Sequence, residues 1–211
     1  LSGEISRATK GAIGTFHALG KQCKEVSGGL PTFISPWIDG KKAVMASGSK
    51  LTKEQVISFG CTGGTGRASG WHNDVRKLRP YAAYDKVEFK EITRTEGDSF
   101  ARYMIRMDEI MESLNIIEQL IDNIPEGPFQ EKMKPIIKVP EGTYYSCVEG
   151  SRGEFGVFIE SRGDKSPYRM KFRSTGLPLV SCLETIAKGT KIADLIAIGG
   201  TLDYVVPDID R

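Results

Sequence analysis

The chain has 211 residues, of which 39% are apolar and 27% charged, and its formal net charge is +2. This length is enough for one large domain or two small ones, and the near-neutral charge gives no global attraction to nucleic acid or to an anionic membrane. No apolar run approaches the ~18 residues that a membrane-spanning helix needs, so none is predicted.

The cysteines and histidines are too scattered to form a metal site. No two cysteines are spaced as C-x-x-C, whereas zinc and iron–sulfur sites usually take their ligands in close pairs. The sequence therefore predicts no metal or cluster bound by this chain alone, and isolated thiols fit a reducing compartment. The residues concerned are Cys23, Cys61, Cys147, Cys182, His17 and His72.

Residues 1–50 show no clear apolar periodicity, because glycine recurs throughout them and interrupts every pattern. We leave this segment unassigned, as a region separate from a domain over residues 51–211.

A predicted short helix over residues 52–59 is followed by a glycine-rich loop. Thr52 and Gln55 form a capping box at its start, and Gly60 is a typical helix stop. Residues 61–71 resemble a phosphate-binding loop only superficially, because they lack the G-K-[ST] ending and the G-x-G-x-x-G spacing. The sequence predicts a structural turn here rather than a nucleotide site.

Residues 72–89 mix basic with aromatic residues, a pattern that can stack on single-stranded nucleic acid. Asp74, Asp85 and Glu88 interrupt any continuous basic surface. Ion pairs are therefore the predicted use of these charges, and no nucleic-acid partner is expected.

The best-defined helix is predicted over residues 99–123, with Asp98 as its N-cap and Pro125 at its end. Apolar residues recur along it every three or four positions and predict a stripe that faces the core. The stripe consists of Phe100, Tyr103, Met104, Met107, Ile110, Met111, Leu114, Ile117, Leu120, Ile121 and Ile124.

Two arginines, Arg102 and Arg106, lie one turn apart on the opposite face of this helix. Glu109 can pair with Arg106, but the two like charges repel each other. A carboxylate from elsewhere, or a bound anion, would relieve the repulsion, so the arginines hint at an interface.

Three strands are predicted over residues 143–149, 155–160 and 168–173, and a Gly-Ser-Arg-Gly turn joins the first two as an antiparallel hairpin. The third strand alternates apolar with cationic residues, so one face is expected to pack and the other to present positive charge. The alternating residues are Tyr168, Arg169, Met170, Lys171, Phe172 and Arg173.

The remaining residues predict two short helices, Pro178–Lys188 and Ile192–Ile198, the second stopped by Gly199 and Gly200. Pro207 predicts an extended tail. The best-defined predicted helix precedes the predicted strands, without β-α-β alternation. This order of elements favours an α+β fold.

The sequence contains no complete set of catalytic residues. It lacks the G-x-S-x-G and H-E-x-x-H motifs and any supported Cys/His pair. A subunit that contributes to a shared site fits better than an independent enzyme.

From about residue 50 onward the sequence resembles the 49-kDa (D) subunit of respiratory complex I, the NADH:quinone oxidoreductase. The order and spacing of many elements over some 160 residues carry this resemblance. They are GCTG…GRASG at 60–70, DVRK at 74–77, PY at 80–81, GDSFARYMIRMDEIMESLNIIEQ at 97–119, PEGPF at 125–129, EGSRGEFGVFIESRG at 149–163, PYRMKFRS at 167–174, ADLIAIGGTLD at 193–203 and DIDR at 208–211.

The resemblance implies a mainly helical core, like that of the related nickel–iron hydrogenase large subunits, with a small antiparallel β-sheet near the C-terminus. Hydrogenases hold their metal with cysteine pairs near both ends, and this chain has none. Without soft thiolate ligands the metal has no anchor, so hydrogen chemistry is not expected.

The resemblance further implies a peripheral-arm subunit that helps to form the quinone-reduction chamber beside the terminal iron–sulfur cluster and couples electron transfer to proton translocation. The isolated chain is not expected to be active. Iron–sulfur clusters, FMN and NADH would sit on partner subunits and quinone at a shared site. Implied partners are the terminal-cluster subunit, a 30-kDa-like subunit and a quinone-channel membrane subunit, on the cytoplasmic face of a bacterial inner membrane or the mitochondrial matrix side.

By the same resemblance, Asp203 and Arg211 lie near the quinone and the terminal cluster. The implied subunit-interface residues are Arg67, Arg76, Arg102, Arg106, Arg169 and Arg173. The family's histidine and tyrosine for the quinone head lie in its N-terminal half, which residues 1–50 do not match. A non-catalytic assembly module without a complete quinone site therefore stays open as an alternative, as does ferredoxin instead of NADH as electron donor.

Overall fold

The computed structural model describes residues 49–125, 127 and 136–210; predictions for residues 1–48 and for Arg211 lie outside this range. The described residues form helices and one sheet, an α+β arrangement. The elements are α1 Lys53–Phe59, α2 Gly63–Ala68, α3 Val75–Leu78, α4 Ser99–Ile121, β1 Gly142–Gly150, β2 Gly153–Ser161, β3 Arg169–Arg173, α5 Gly176–Ser181, α6 Leu183–Ala187, α7 Ile192–Leu202 and α8 Val206–Ile209.

Helix α1 confirms the predicted capping box. The Thr52 backbone N–H donates to Gln55 Oε1 at 2.9 Å, and the Gln55 N–H donates to Thr52 Oγ1 at 3.2 Å. Gly60 ends the helix in the left-handed conformation, where its N–H reaches the carbonyls of the last turn.

The glycine-rich segment is a buried helix, α2, so the prediction of a structural turn was wrong. A Cβ on Gly66 would lie 2.5 Å from the carbonyl oxygen of Cys61, and a Cβ on Gly63 would lie 2.5 Å from that of Arg152. The glycines therefore allow close backbone packing against the preceding turn and the β1–β2 hairpin, which overrides their low helix propensity.

Helix α4 begins at Ser99 with the predicted Asp98 cap, whose carboxylate accepts from the Ala101 N–H at 2.7 Å, and ends two residues before position 123. Its buried face is only partly the predicted stripe. Leu114 and Ile121 are buried as predicted. The stripe residues that are exposed instead are Tyr103 (40%), Ile110 (49%), Ile117 (42%) and Ile124 (64%).

Neighbouring helices explain this rotation of the buried face. Helix α2 contacts α4 through Ala68, which packs with Ala101 and Ile105, and α7 contacts α4 as well. Small side chains on both helices permit a close approach that the larger stripe residues would prevent. Periodicity therefore identified a helix, but its partners decide which side is covered.

The sheet has the order β1-β2-β3 and is antiparallel throughout, which confirms the hairpin. Its register places Tyr145 opposite Phe158 and Phe158 opposite Lys171. Cationic and apolar residues of β3 occupy opposite faces, as predicted. The apolar face was also predicted to pack, and this is wrong for the described residues, where Met170 and Phe172 stay exposed.

The C-terminal helices differ from the prediction in three ways. The first is split at Cys182 into α5 and α6, and α7 continues through the two glycines to Leu202. The tail is helical over α8, because Pro207 sits in its first turn, where a missing N–H breaks no hydrogen bond.

Helices α1, α5, α6 and α7 share the largest hydrophobic core. Its buried members are Leu51, Val56, Cys61, Leu179, Cys182, Ile186, Ile198 and Leu202. This core anchors the end of α7, the point from which the candidate site is built. Among the described residues, no helix combines the length and apolarity needed to cross a membrane.

Candidate functional site

A cavity of about 380 Å³ lies between α2, α4, the β1–β2 hairpin and the end of α7. Most of the side chains that line it are charged. The charged lining residues are Arg67, Arg76, Arg106, Glu109, Glu149 and Asp203.

Arg67 holds two carboxylates at once on one side of the cavity. Its Nη2 lies 2.6 Å from Glu109 Oε1, and its Nη1 lies 2.8 Å from Glu149 Oε1. Burial opposes the charge of Arg67, but the two glutamates outweigh it and raise the pKa of the guanidinium. Burial also raises the pKa of Glu149, and Arg67 offsets only part of that shift.

Arg76 forms a separate pair with Asp74, whose carboxylate also caps α3. Arg76 Nη2 lies 2.7 Å from Asp74 Oδ2, and its guanidinium stacks 5.0 Å from the Phe89 ring centre. The wall of the cavity near α3 is therefore fixed by a bidentate ion pair.

Asp203 ends α7 and carries the unusual backbone angle φ 58°, a left-handed conformation that costs a non-glycine residue energy. Its carboxylate is loosely held, 3.4 Å from Arg152 Nη2 and 3.8 Å from Arg106 Nε. Arg152 Nε also donates to the Asp203 carbonyl at 3.0 Å. Asp203 thus stands between two arginines without a short hydrogen bond to either through its side chain.

Arg106 is the least satisfied charge of the site. Its Nη1 donates to the Arg102 carbonyl at 3.0 Å, whereas its buried Nε has no hydrogen-bond acceptor among the described residues. Burial lowers the pKa of Arg106, and Asp203 and Glu109 compensate only in part. The side chain retains capacity to donate to a polar group in the cavity.

Arg102 lies one turn before Arg106 on α4 and is completely buried. It donates to the carbonyls of Ser49 and Gly97 and to the hydroxyls of Ser99 and Thr201. It thereby ties α4 to the segment before α1 and to α7.

Asp203 and three of the predicted interface arginines, Arg67, Arg76 and Arg106, come together at the cavity. Arg102 supports it from inside. Arg169 and Arg173 lie on the sheet, where Arg173 donates to the carbonyls of Gly60 and Glu154. The contacts of these six arginines with other subunits, and the role of Arg211 outside the described residues, stay predictions.

Pairings across the chain were not visible in the sequence. The expected pair of Glu109 with Arg106 was wrong, because Glu109 binds Arg67 instead. Glu149 and Arg152 were not singled out, although both lie in the EGSRGE segment of the hairpin. In the described part of the chain, no group of three or more His, Cys, Asp or Glu residues is placed to hold a metal ion.

The sequence matches the family described as respiratory-chain NADH dehydrogenase, 49 Kd subunit, over residues 45–138 and 131–211. It is 81% identical over 161 residues to the C/D subunit of the NADH-quinone oxidoreductase of Bacteroides fragilis, covering 76% of this chain and 30% of that protein. It is 48% identical over 162 residues to the D subunit of the same kind of enzyme from Desulfotalea psychrophila, covering 76% and 44%. The chain thus spans less than half the length of these relatives.

A solved structure shares the fold. The match is a chain of the membrane-bound sulfane sulfur reductase, an archaeal respiratory membrane complex, with a TM-score of 0.82 and 32% identity over 98% of this chain and 55% of that one. Sequence and fold agree, and the chain belongs to the 49-kDa subunit family of the respiratory-chain NADH dehydrogenase.

Proposed function

We propose that the chain is part of a peripheral subunit of an NADH:quinone oxidoreductase and helps to line the chamber in which quinone is reduced. The observation that supports this most is the charged cavity around Asp203. Reduction of a quinone to a quinol takes up two electrons and two protons. A site for it needs donors for the carbonyl oxygens and groups that hold protons.

The residues at the cavity supply both kinds of group. Arg106 has donor capacity left over, and it lies beside a loosely bound carboxylate, Asp203. Burial makes Glu149 hold a proton more readily than an exposed glutamate does. Ile110 adds an apolar wall. The arrangement can orient a polar head group and adjust the charge around it.

The partners and cofactors follow from this proposal. Electrons would arrive from the terminal iron–sulfur cluster of a partner subunit, while FMN and NADH would be bound farther away on others. A 30-kDa-like subunit and a quinone-channel membrane subunit would complete the surroundings. The subunit would be peripheral, on the cytoplasmic face of a bacterial membrane or the matrix side of a mitochondrial one, and active only in the assembled complex.

A second candidate is a non-catalytic assembly module of the same complex. It is favoured by the ion pairs that already engage charged groups of the cavity, Arg67 with Glu109 and Glu149 and Arg76 with Asp74. The family resemblance implies a quinone-head histidine and tyrosine in the N-terminal half of the family, outside the part of the sequence that carries the resemblance.

Asp203→Asn in the assembled complex tests the quinone role. Asparagine tolerates the left-handed backbone and has nearly the same shape as aspartate. The variant therefore removes mainly the negative charge. We expect quinone-dependent NADH oxidation to fall about tenfold, the effect of a ~1.4 kcal/mol change in barrier. NADH oxidation by an artificial acceptor at the flavin should not change.

Asp85→Asn, at an exposed residue that does not line the cavity, is the control and should have the activity of the unmodified complex. If Asp203→Asn assembles normally and keeps full quinone reductase activity, the assignment of the cavity fails. If the chain assembles and none of the six charged lining residues affects quinone reduction, the assembly module replaces the catalytic role.

A further inference from the structure

Two completely buried cysteines, Cys61 and Cys182, lie together in the largest core although they are far apart in the sequence. Cys61 follows Gly60 at the end of α1, and Cys182 lies at the break between α5 and α6. The pair forms only when α1 contacts α5, so the spacing of the cysteines in the sequence gave no sign of it. Neither residue lines the cavity around Asp203.

A single carbonyl group positions the two cysteines. The Pro178 carbonyl oxygen accepts from the Cys61 thiol at 3.2 Å and from the Cys182 backbone N–H at 3.3 Å. The Cys61 sulfur also lies within hydrogen-bonding reach of the Cys182 sulfur. Cys182 Sγ in turn lies 3.1 Å from the Leu179 carbonyl oxygen. The backbone of α5 therefore holds the two sulfurs next to each other.

The surroundings of the pair favour loss of a proton from Cys182 rather than from Cys61. A hydrogen bond from Cys61 and the positive charge of Arg102 outweigh burial and lower the pKa of Cys182. The same hydrogen bond and burial raise the pKa of Cys61. Because the thiolate is the nucleophilic form of cysteine, Cys182 is the sulfur expected to attack first.

Access to the pair depends on local opening at the break between α5 and α6. These helices have six and five residues, and α6 has no side-chain cap among the described residues. Helices this short depend on packing for their stability, and such segments open locally at a lower cost than the whole fold. A small reagent can therefore reach Cys182 without global unfolding.

We propose that Cys61 and Cys182 form an oxidisable dithiol, which a hydroperoxide converts into a disulfide. The Cys182 thiolate attacks the outer peroxide oxygen, the O–O bond breaks, and the alkoxide that leaves takes up the proton that Cys182 had lost. Cys182 is then a sulfenic acid. Cys61 gives up its proton and attacks the Cys182 sulfur, the S–O bond breaks, and hydroxide leaves with that proton as water.

Two electrons pass from the sulfurs to the peroxide in this reaction. Two thiols and one hydroperoxide yield one disulfide, one alcohol and one water, and with hydrogen peroxide the alcohol is a second water. Disulfides that form in a reducing compartment are usually transient and serve redox sensing. This modification site goes beyond the proposed quinone role and does not depend on it.

Thiol mapping of the assembled complex tests the proposal. The complex is treated with hydrogen peroxide, the peroxide is removed with catalase, and the protein is unfolded in excess maleimide and digested with trypsin. Trypsin places Cys61 in peptide 54–67, Cys147 in peptide 139–152 and Cys182 in peptide 174–188. We expect peptides 54–67 and 174–188 to become linked, with equal loss of both free thiols and full recovery on reduction.

Cys147, which is half-buried on β1, is the internal control and should appear in no disulfide. A disulfide of Cys61 or Cys182 with any other cysteine would overturn the proposal. Loss of one thiol of the pair without the other would do the same, as would two thiols that stay free while Cys147 is oxidised.

Two alanine variants distinguish the roles of the two sulfurs. In Cys61→Ala the sulfenic acid has no neighbouring thiol, so dimedone, which traps sulfenic acids, should label Cys182. In Cys182→Ala, Cys61 should stay a free thiol. Labelling of Cys61 in the second variant, or of neither cysteine in either variant, would overturn this order of attack. The mapping of the unmodified complex decides whether the disulfide forms even where a variant fails to assemble.

Discussion

Arg102 is completely buried, yet the described residues offer its guanidinium only neutral hydrogen-bond acceptors. Burial lowers its pKa to about 10, which still leaves it charged at neutral pH. The charge is spread over backbone carbonyls and hydroxyls of three separate segments. A cation in this position links the three segments to one another. Each lost hydrogen bond would leave a buried acceptor unsatisfied.

Asp74 illustrates the opposite case, a buried carboxylate with a cation of its own. Burial raises the pKa of Asp74, but hydrogen bonds and charge attraction from Arg76 outweigh it and hold the pKa below the ordinary 3.8. The folded state therefore favours the charged form. Its stabilisation is complete above pH 3.8 and is lost as the pH falls through the folded-state pKa.

We expect Asp74→Asn to lower the free energy of unfolding by about 2–4 kcal/mol at pH 7, because a half-buried arginine loses its charged partner. The difference from the unmodified chain should shrink as the pH falls below 3.8, where Asp74 also becomes neutral. Urea unfolding at a series of pH values measures both effects, with exposed Asp85→Asn as control. A difference that does not depend on pH would contradict the ion-pair interpretation.

Helix ends and buried faces differ in how far the sequence could predict them. The caps Thr52 and Asp98 depend on neighbours within three residues, so the local sequence was enough to predict them. The covered side of α4 depends on where α2 and α7 pack. Likewise, Arg67 and Glu149 are 82 positions apart, and no spacing rule joins them. At the candidate site, the resemblance to the family predicted Asp203, whereas the arginines that it contacts could be identified only from the fold.

Helix α2 offers a matched test of close packing within a single turn. Gly66→Ala would put a Cβ 2.5 Å from the Cys61 carbonyl oxygen, whereas Gly64→Ala meets Ile105 Cγ2 at an ordinary 3.7 Å. We expect the first change to cost about 2–3 kcal/mol of unfolding free energy through overpacking. The second should be neutral or stabilising by up to about 1 kcal/mol, because alanine favours a helix.

Chemical denaturation of the two glycine variants side by side gives the comparison. Equal stabilities would show that α2 does not approach the Cys61 turn as closely as described.

At the scale of the whole molecule, apolar side chains remain on the outside of α4, α7 and the sheet. Isolated apolar residues at a surface are ordinary, but several on adjacent elements mark surfaces that other polypeptides cover. The fold stays cohesive because its largest core lies among α1, α5, α6 and α7.

Two isoleucines on α7 distinguish its outer side from its core side. Ile196 is 78% exposed and Ile198 is 4% exposed. We expect Ile196→Lys to change the free energy of unfolding by no more than about 0.5 kcal/mol and to reduce self-association of the isolated chain. Ile198→Lys buries an unpaired charge and should cost more than about 3 kcal/mol.

Urea unfolding and light scattering measure these two responses. If Ile196→Lys destabilised the chain as much as Ile198→Lys does, the outer side of α7 would have to be part of the core.

The contact between α2 and the hairpin turn also restricts how this sequence can recombine. Gly63 rests against the Arg152 backbone, and a Cβ on Gly153 would lie 2.5 Å from Thr62 Oγ1. Each backbone occupies the space that a side chain on the other would need, so a larger residue at one position cannot be compensated by a change at the other. A crossover between segments 60–70 and 149–154 therefore yields a viable chimera only when both parents keep both glycines.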